Sequence, residues 1–318
     1  MVSIFSGGIN VFRFWGGLFL FFSGLQAAKK NLNKLASPRI KRYLTVLSRH
    51  NLVTLITGIV ITAFLQSSSA VAVILISLLD TGYIKLKTAA LIMLGANLGT
   101  TITVQLISLP FSINSLSYIL IILSLVLFLL NILTQKNLYR YFLLVLSLAS
   151  IFLGLNFLAS FLDQSLVKSI IIRLLPKTQG NILIYIVVGM MATAFIQSSS
   201  ALSSIVVLLG HNQLLTLPMA AALIVGSNLG TCITAFLACL KSSCQARLLA
   251  VLHLCYNIIG VILILPFYNI FVKIINYSAQ NLNHQIANVH TFFNLITIVF
   301  IFIFYIWSTK ILKIVIYD

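Results

Sequence analysis

Apolar residues run in long blocks along this chain, with short basic or turn-rich breaks between them. Seven blocks stand out, at about 10–28, 88–109, 115–134, 139–161, 217–240, 248–271 and 290–309. Stretches such as Ile119–Leu133 and Val289–Trp307 carry no formal charge. About twenty residues at ~1.5 Å rise span a ~30 Å hydrocarbon core, so each block predicts a membrane-crossing helix. The first, from Val11 to Ala28, has the length of a signal peptide. Leu25 and Gln26 break the small-x-small cleavage pattern, and the block is read as a retained first span.

Two further apolar stretches, 51–82 and 181–210, are interrupted near their centres by Gln66-Ser67-Ser68-Ser69 and Gln197-Ser198-Ser199-Ser200. Each half of the first stretch is only ~21–24 Å long as a helix, short of the ~30 Å core. The reading is therefore a re-entrant helical hairpin in each, turning at Gln-Ser-Ser-Ser; one long tilted helix is the competing reading. Charge does not decide between them, because either arrangement gathers most of the Lys and Arg on one side. Hairpins leave three spans between the two interruptions, which turns the second unit upside down relative to the first, as in many secondary transporters.

The interruptions are copies. Residues 62–70, TAFLQSSSA, and 193–201, TAFIQSSSA, agree at eight of nine positions, 131 residues apart. At the same offset, Gly95-Ala-Asn-Leu-Gly-Thr-Thr-Ile-Thr103 matches Gly226-Ser-Asn-Leu-Gly-Thr-Cys-Ile-Thr234 at seven of nine. Two motifs at one offset mean a duplicated unit. We expect one membrane transport domain over 1–318, with a first repeat at about 51–161 and a second at about 181–309. The span at 10–28 and a basic, amphipathic segment at 29–50 lying on the headgroups precede them.

Composition sharpens the class. The chain is 60% hydrophobic and 7% charged, where a soluble domain carries about 25% charged residues. The fold class is an all-α polytopic membrane protein, with about seven transmembrane helices and two re-entrant hairpins arranged as inverted repeats. The net charge of +17 does not point to nucleic acid, because the bases sit between the apolar spans, where the positive-inside rule places them. That rule sets the N-terminus outside and the C-terminus in the cytoplasm. The acidic residues are Asp80, Asp163 and Asp318, none at the centre of a span. The four cysteines match no zinc spacing and read as small buried hydrophobes.

Polar groups within hydrocarbon are tolerated where they face protein or a water-filled cavity. If the chain turns at Gln-Ser-Ser-Ser, a helix starts near Ser68 and another near Ser199. A helix N-terminus presents unpaired N–H groups and about half a positive charge. With the hydroxyls of Ser67, Ser68, Ser69, Ser198, Ser199 and Ser200 and the amides of Gln66 and Gln197, two such termini make a neutral, donor-rich anion pocket. Hydrogen bonding between helices alone is the blander reading. In the glycine runs, Gly95, Gly99, Gly226 and Gly230 weaken helix propensity, so an unwound turn is expected there. The oxygens of Asn97, Thr100, Thr101, Asn228 and Thr231 would suit a hard cation such as sodium; close packing through small residues is the alternative. His253 with Asn257, and His290 with Asn294, each share a helical face and either bridge helices or touch substrate.

In order, these motifs followed by Leu252-His-Leu-Cys-Tyr-Asn-Ile-Ile-Gly260 resemble the sodium–phosphate cotransporter family, which includes bacterial members and the type II animal transporters. The resemblance covers about 51–110 and 181–309. It implies sodium-coupled secondary transport of inorganic phosphate across a bacterial inner membrane, with both Gln-Ser-Ser-Ser runs at the phosphate and sodium sites. It implies no organic cofactor, sodium being the coupling ion, and leaves the oligomeric state open. The long disulfide-bearing outer loop of animal relatives has no counterpart here. Nor is there a helical tail like the PhoU proteins before Asp318, so control through such a tail is not expected. Other readings are the same scaffold exporting phosphate or moving another oxyanion, a channel, and an intramembrane serine hydrolase using His253 or His290. The hydrolase lacks a mid-span acid to orient its base.

Overall fold

A computed structural model of the chain describes residues 12–24, 26–28, 30–31, 50–109, 113–134, 138–162 and 181–317. Every regular element among them is helical. Helix α1 covers residues 12–24, α2 Asn51–Leu65, α3 Ser68–Asp80, α4 Leu86–Gly99, α5 Thr101–Ser108, α6 Ile113–Thr134 and α7 Tyr139–Leu162. After the second break come α8 Ile182–Ile196, α9 Ser199–His211, α10 Leu217–Ala238, α11 Cys244–Ile264, α12 Tyr268–Tyr277 and α13 Leu282–Tyr317.

The protein is an all-α polytopic membrane protein. Among the described residues, six helical stretches are long and apolar enough to cross a membrane: Leu86–Ser108, Ser117–Thr134, Tyr139–Leu162, Leu217–Ala238, Cys244–Tyr277 and Leu282–Phe304. They coincide with six of the seven expected spans. The seventh, 10–28, extends past the described residues, and most of the amphipathic segment 29–50 lies outside them. The stretch read as 248–271 is longer than its apolar core. It starts at Cys244 because Ser243 caps it, accepting a hydrogen bond from the Ala246 N–H. It bends through a 3-10 turn at Leu265–Phe267, where Pro266 cannot donate to the α ladder. Beyond the turn, α12 buries Tyr268, Phe271 and Ile275 on one face, and the Tyr268 hydroxyl donates to the Pro218 carbonyl.

The chain packs as two compact units. One holds residues 1–39, 109–179 and 211–214. In it, α7 runs antiparallel to α1, with Gly17 against Gly154 and Gly24 against Ser147. Its α6 and α7 form an antiparallel pair, joined by Asn156 Nδ2 donating to Ser117 Oγ at 2.9 Å.

The other unit holds residues 40–108, 180–210 and 215–318, so both Gln-Ser-Ser-Ser breaks fall within it. Three glycine contacts set its geometry. Gly58 meets the backbone of Ile92, Gly95 that of Leu55, and Gly99 those of Ile59 and Ala63. Leu55 pairs with Gly95 and Ile59 with Gly99, so α2 and α4 run in the same direction. The chain must then return along α3 before α4 can begin, and it reverses at Gln66. The same contacts recur 131 residues on: Gly189 on Leu223, Gly226 on Ile186, and Gly230 on Met190 and Ala194. Thus α8 and α10 are also parallel, and α9 is the return.

A hydrogen bond links the two copies at one end. Asp80, closing α3, accepts from the Ser243 N–H at 2.8 Å. Bonds from the Ser243 hydroxyl and amide hold the exposed Asp80 carboxyl below the ordinary carboxylate range.

Candidate functional site

Each break is built from local chemistry. Gln66 and Gln197 adopt left-handed backbone, φ 49 and 58, and end α2 and α8 with N–H bonds of 2.6 Å to the carbonyls of Thr62 and Thr193. Glycine is the usual residue at such a C-cap, and a side chain there is strained. One residue on, serine restarts the helix. Ser67 accepts from the Ala70 N–H at 3.2 Å, and Ser198 from the Ala201 N–H at 3.3 Å. Helices α3 and α9 then begin at Ser68 and Ser199, as the capping argument expects.

The tips meet. Ser69 Oγ donates to the Gln197 carbonyl at 3.4 Å and accepts from Thr234 Oγ1 at 3.2 Å. The six serines divide by role. Ser67 and Ser198 are caps, Ser69 ties the tips together, and Ser200 Oγ lies 3.2 Å from Ser198 Oγ. Ser68 and Ser199, each 4% exposed, have hydroxyls that make no hydrogen bond among the described residues. These two hydroxyls stand at the first positions of two helix N-termini. Gln66 is half-buried and Gln197 exposed.

The glycine runs differ from expectation. Helix α10 is continuous through Gly226-Ser-Asn-Leu-Gly-Thr, and only Thr100, with α-region backbone, separates α4 from α5. The second run holds no unwound turn, and the first departs from regular helix only at Thr100, whose N–H still donates to the Ala96 carbonyl at 3.3 Å. The glycines serve contact: their missing side chains let α4 and α10 lie backbone to backbone on α2 and α8, and that packing outweighs their low propensity.

Asn97, Thr100, Thr101, Asn228 and Thr231 are all buried, and the side chain of each has a hydrogen-bond partner within the protein. Thr100, Thr101 and Thr231 donate to carbonyls of their own helices, at Asn97, Leu98 and Ser227. Asn97 Oδ1 lies 3.0 Å from His253 Nε2, which must donate to it. Asn228 Oδ1 accepts from Asn294 Nδ2 at 3.3 Å. The two histidine–asparagine pairs of α11 and α13 therefore brace the two repeated asparagines, one pair each. Asn257 Nδ2 donates to Cys232 Sγ at 3.3 Å and to the His253 carbonyl. Both nitrogens of fully buried His290 are without a partner among the described residues.

Sequence reasoning passed over Thr62 and Thr193. Each is 0% exposed, each sits one turn before its tip glutamine, and each keeps an unpartnered hydroxyl. Both lie inside the duplicated TAF-x-QSSSA motif, which was the available signal. It also passed over Gln105, whose amide donates to Asn288 Oδ1 and Thr291 Oγ1, both at 2.9 Å. No group of three or more His, Cys, Asp or Glu stands ready for a metal ion among the described residues.

The arrangement is a helical membrane unit in which two matching Gln-Ser-Ser-Ser breaks lie in contact. The profile of the family described as Na+/Pi-cotransporter matches the chain twice, over residues 20–160 and 163–303, and the chain belongs to that family. It is a family of transporters, not enzymes. The chain is 31% identical over 284 residues to the "Uncharacterized protein YqeW" of Bacillus subtilis, covering 88% of this chain and 90% of that one. It is 25% identical over 239 residues to the Escherichia coli protein named "Putative inorganic phosphate export protein YjbB", covering 75% of this chain and 43% of that one. The Salmonella typhimurium protein of the same name matches to the same extent. The chain thus spans less than half the length of the YjbB proteins. No solved structure matches it.

Proposed function

We propose that this protein carries inorganic phosphate across a bacterial inner membrane by sodium-coupled secondary transport. The two helix–break–helix units enter the bilayer from opposite faces as re-entrant hairpins, and phosphate binds where their tips meet near the midplane. The observation that carries this reading is the pair of buried, uncommitted hydroxyls of Ser68 and Ser199 at two helix N-termini. A helix N-terminus favours an anion through oriented N–H groups and its positive end. Ser67, Ser69, Ser198, Ser200 and the tip amides shape the pocket around it. Sodium is held by oxygens of the Asn97, Thr100, Thr101 and Asn228, Thr231 groups, which requires His253 and Asn294 to share or yield the asparagine oxygens they now hold. The N-terminus lies outside and the C-terminus in the cytoplasm.

A second reading, phosphate export on the same scaffold, is favoured by the printed name of the YjbB relatives. Flux decides between them. The purified full chain in liposomes is given radiolabelled phosphate with an inward sodium gradient, an outward one, or potassium alone. Uptake should rise several-fold with the inward gradient and be competed by excess unlabelled phosphate. Flux indifferent to sodium would refute coupling. Net movement only outward would establish export, and competition by sulfate better than by phosphate would reassign the substrate.

A further inference from the structure

His290 is fully buried in α13, and neither ring nitrogen has a partner among the described residues. A neutral imidazole carries one N–H donor and one bare acceptor, so both capacities are unmet. Buried polar groups are otherwise paired, with protein or with water. The neighbouring contacts of α13 show which way the ring faces. One turn before it, Ile286 packs on Gly210 of α9; one turn after it, Asn294 donates to Asn228 of α10. Residues four apart share a helix face, so His290 lies on the side turned to α9 and α10.

Helix α9 supplies a matching polar group. Ser203 is 0% exposed, and its hydroxyl has no partner among the described residues. It stands about two turns before Gly210 on the same face of α9. A short turn joins α9 to α10, and α13 runs alongside α10 from Ile286 to Asn294, so α9 runs against α13. Two turns back from Gly210 therefore bring Ser203 to within about one turn of His290. One turn further back is Ser199, at the tip. Ser199, Ser203 and His290 follow one seam, and each carries a polar group that the fold leaves unused.

No carboxylate faces this seam: among the described residues, α13 and the helices packed on it carry none. Helices α2, α5 and α10 have no charged side chain, and Cys232 of α10 is bonded to Asn257. Lys87 and Arg247 stand in the first turns of α4 and α11, and Lys273 of α12 is exposed. His253 of α11 is held by Asn97. His211 closes α9, and His284 lies in the first turn of α13.

We propose that His290 and Ser203, bridged by water, form a proton-binding site of the transport cycle, filled together with phosphate at the serine tips. This rests on the phosphate reading above. A proton relayed from bulk water along the seam adds to the lone pair of the bare ring nitrogen, and it returns to bulk water when phosphate leaves. With no carboxylate at hand, the bound anion is the counter-charge of the imidazolium. An anion favours the charged ring, and by linkage the charged ring favours the anion to the same extent. An ionisable side chain within a membrane span commonly marks such a relay.

The test is phosphate affinity of the purified full chain at pH 6 and pH 8, at fixed sodium, for wild type, His290→Gln and Ser203→Ala. Phosphate itself titrates over this range, but equally for all three, so the ratio of variant to wild type isolates the residue. Wild type should bind about tenfold more tightly than His290→Gln at pH 6 and within about twofold of it at pH 8, the effect of roughly one unit of coupling. Ser203→Ala should show a smaller loss of the same sign, and it carries the test if His290→Gln does not fold. Nitrogen-15 histidine spectra of the wild type at pH 6 should show one more imidazolium with phosphate than without. Equal ratios at both pH values, or histidine spectra unchanged by phosphate, would overturn the proton site and leave phosphate binding standing. A wild type that binds no phosphate at either pH would overturn both.

Discussion

Gly226→Ala is expected to be the most damaging single substitution in the chain, with Gly95→Ala close behind. A Cβ at either position falls inside the van der Waals radius of a backbone carbonyl, that of Ile186 or Leu55. A backbone oxygen within a helix cannot rotate aside as a side chain can, so the two helices must separate along their length. Overpacking a core commonly costs about 1–3 kcal/mol, and a clash with fixed backbone belongs at or above the top of that range. Helix propensity alone argues the opposite sign, since Ala is about 1 kcal/mol better than Gly within a helix. The sign of the effect therefore separates the two accounts. Thermal unfolding in detergent should show a fall in midpoint of several degrees for both variants and loss of the monodisperse protein for Gly226→Ala. Gly16→Ala is the control, because its nearest neighbours stand at an ordinary 3.8 Å. It should be neutral or slightly stabilising; a stable, active Gly226→Ala would mean that α8 and α10 are not in backbone contact.

The second large effect concerns the tips. Ser68→Ala and Ser199→Ala each remove a hydroxyl that supports nothing in the fold, so neither should lower stability. On the proposed binding mode each removes a donor to phosphate, worth roughly 1.5–3 kcal/mol, or about 10–150-fold in affinity. Ser67→Ala and Ser198→Ala should do the reverse. They delete helix caps and cost about 1 kcal/mol of stability while affecting affinity only through the helix start. Phosphate binding and thermal midpoint measured on all four variants give a two-by-two pattern. Equal affinity loss at caps and at Ser68 and Ser199 would show that the serines act through the fold alone.

The spans and the tips were legible in the sequence because their causes are local. Uncharged runs such as Ile119–Leu133 need no partner to declare a membrane helix. A serine cap announces a helix start within one turn, and α3 and α9 begin where Ser68 and Ser199 place them. The glycine runs misled because propensity is local and packing is not. Gly95 and Gly226 would loosen an isolated helix, yet against α2 and α8 they permit the closest contact in the unit. The pairing of Asn97 with His253 joins residues 156 positions apart, and that of Asn228 with Asn294 joins residues 66 apart. Periodicity showed that His253 and Asn257 share a face, but not which helix they face. The duplication hides a further asymmetry. Thr234 reaches the first tip through Ser69, whereas its counterpart Thr103 is buried with an unpartnered hydroxyl. Nearly identical motifs thus sit in different surroundings.

The claim at the centre of this account is that phosphate sits between the two serine tips. The measurement that tests it most directly is a pair of cryo-electron microscopy maps of the full chain in lipid nanodiscs with sodium, one with phosphate and one without. The account predicts added density within hydrogen-bond reach of the hydroxyls of both Ser68 and Ser199, present only with phosphate. Density elsewhere in the protein, or at one tip without the other, would contradict it.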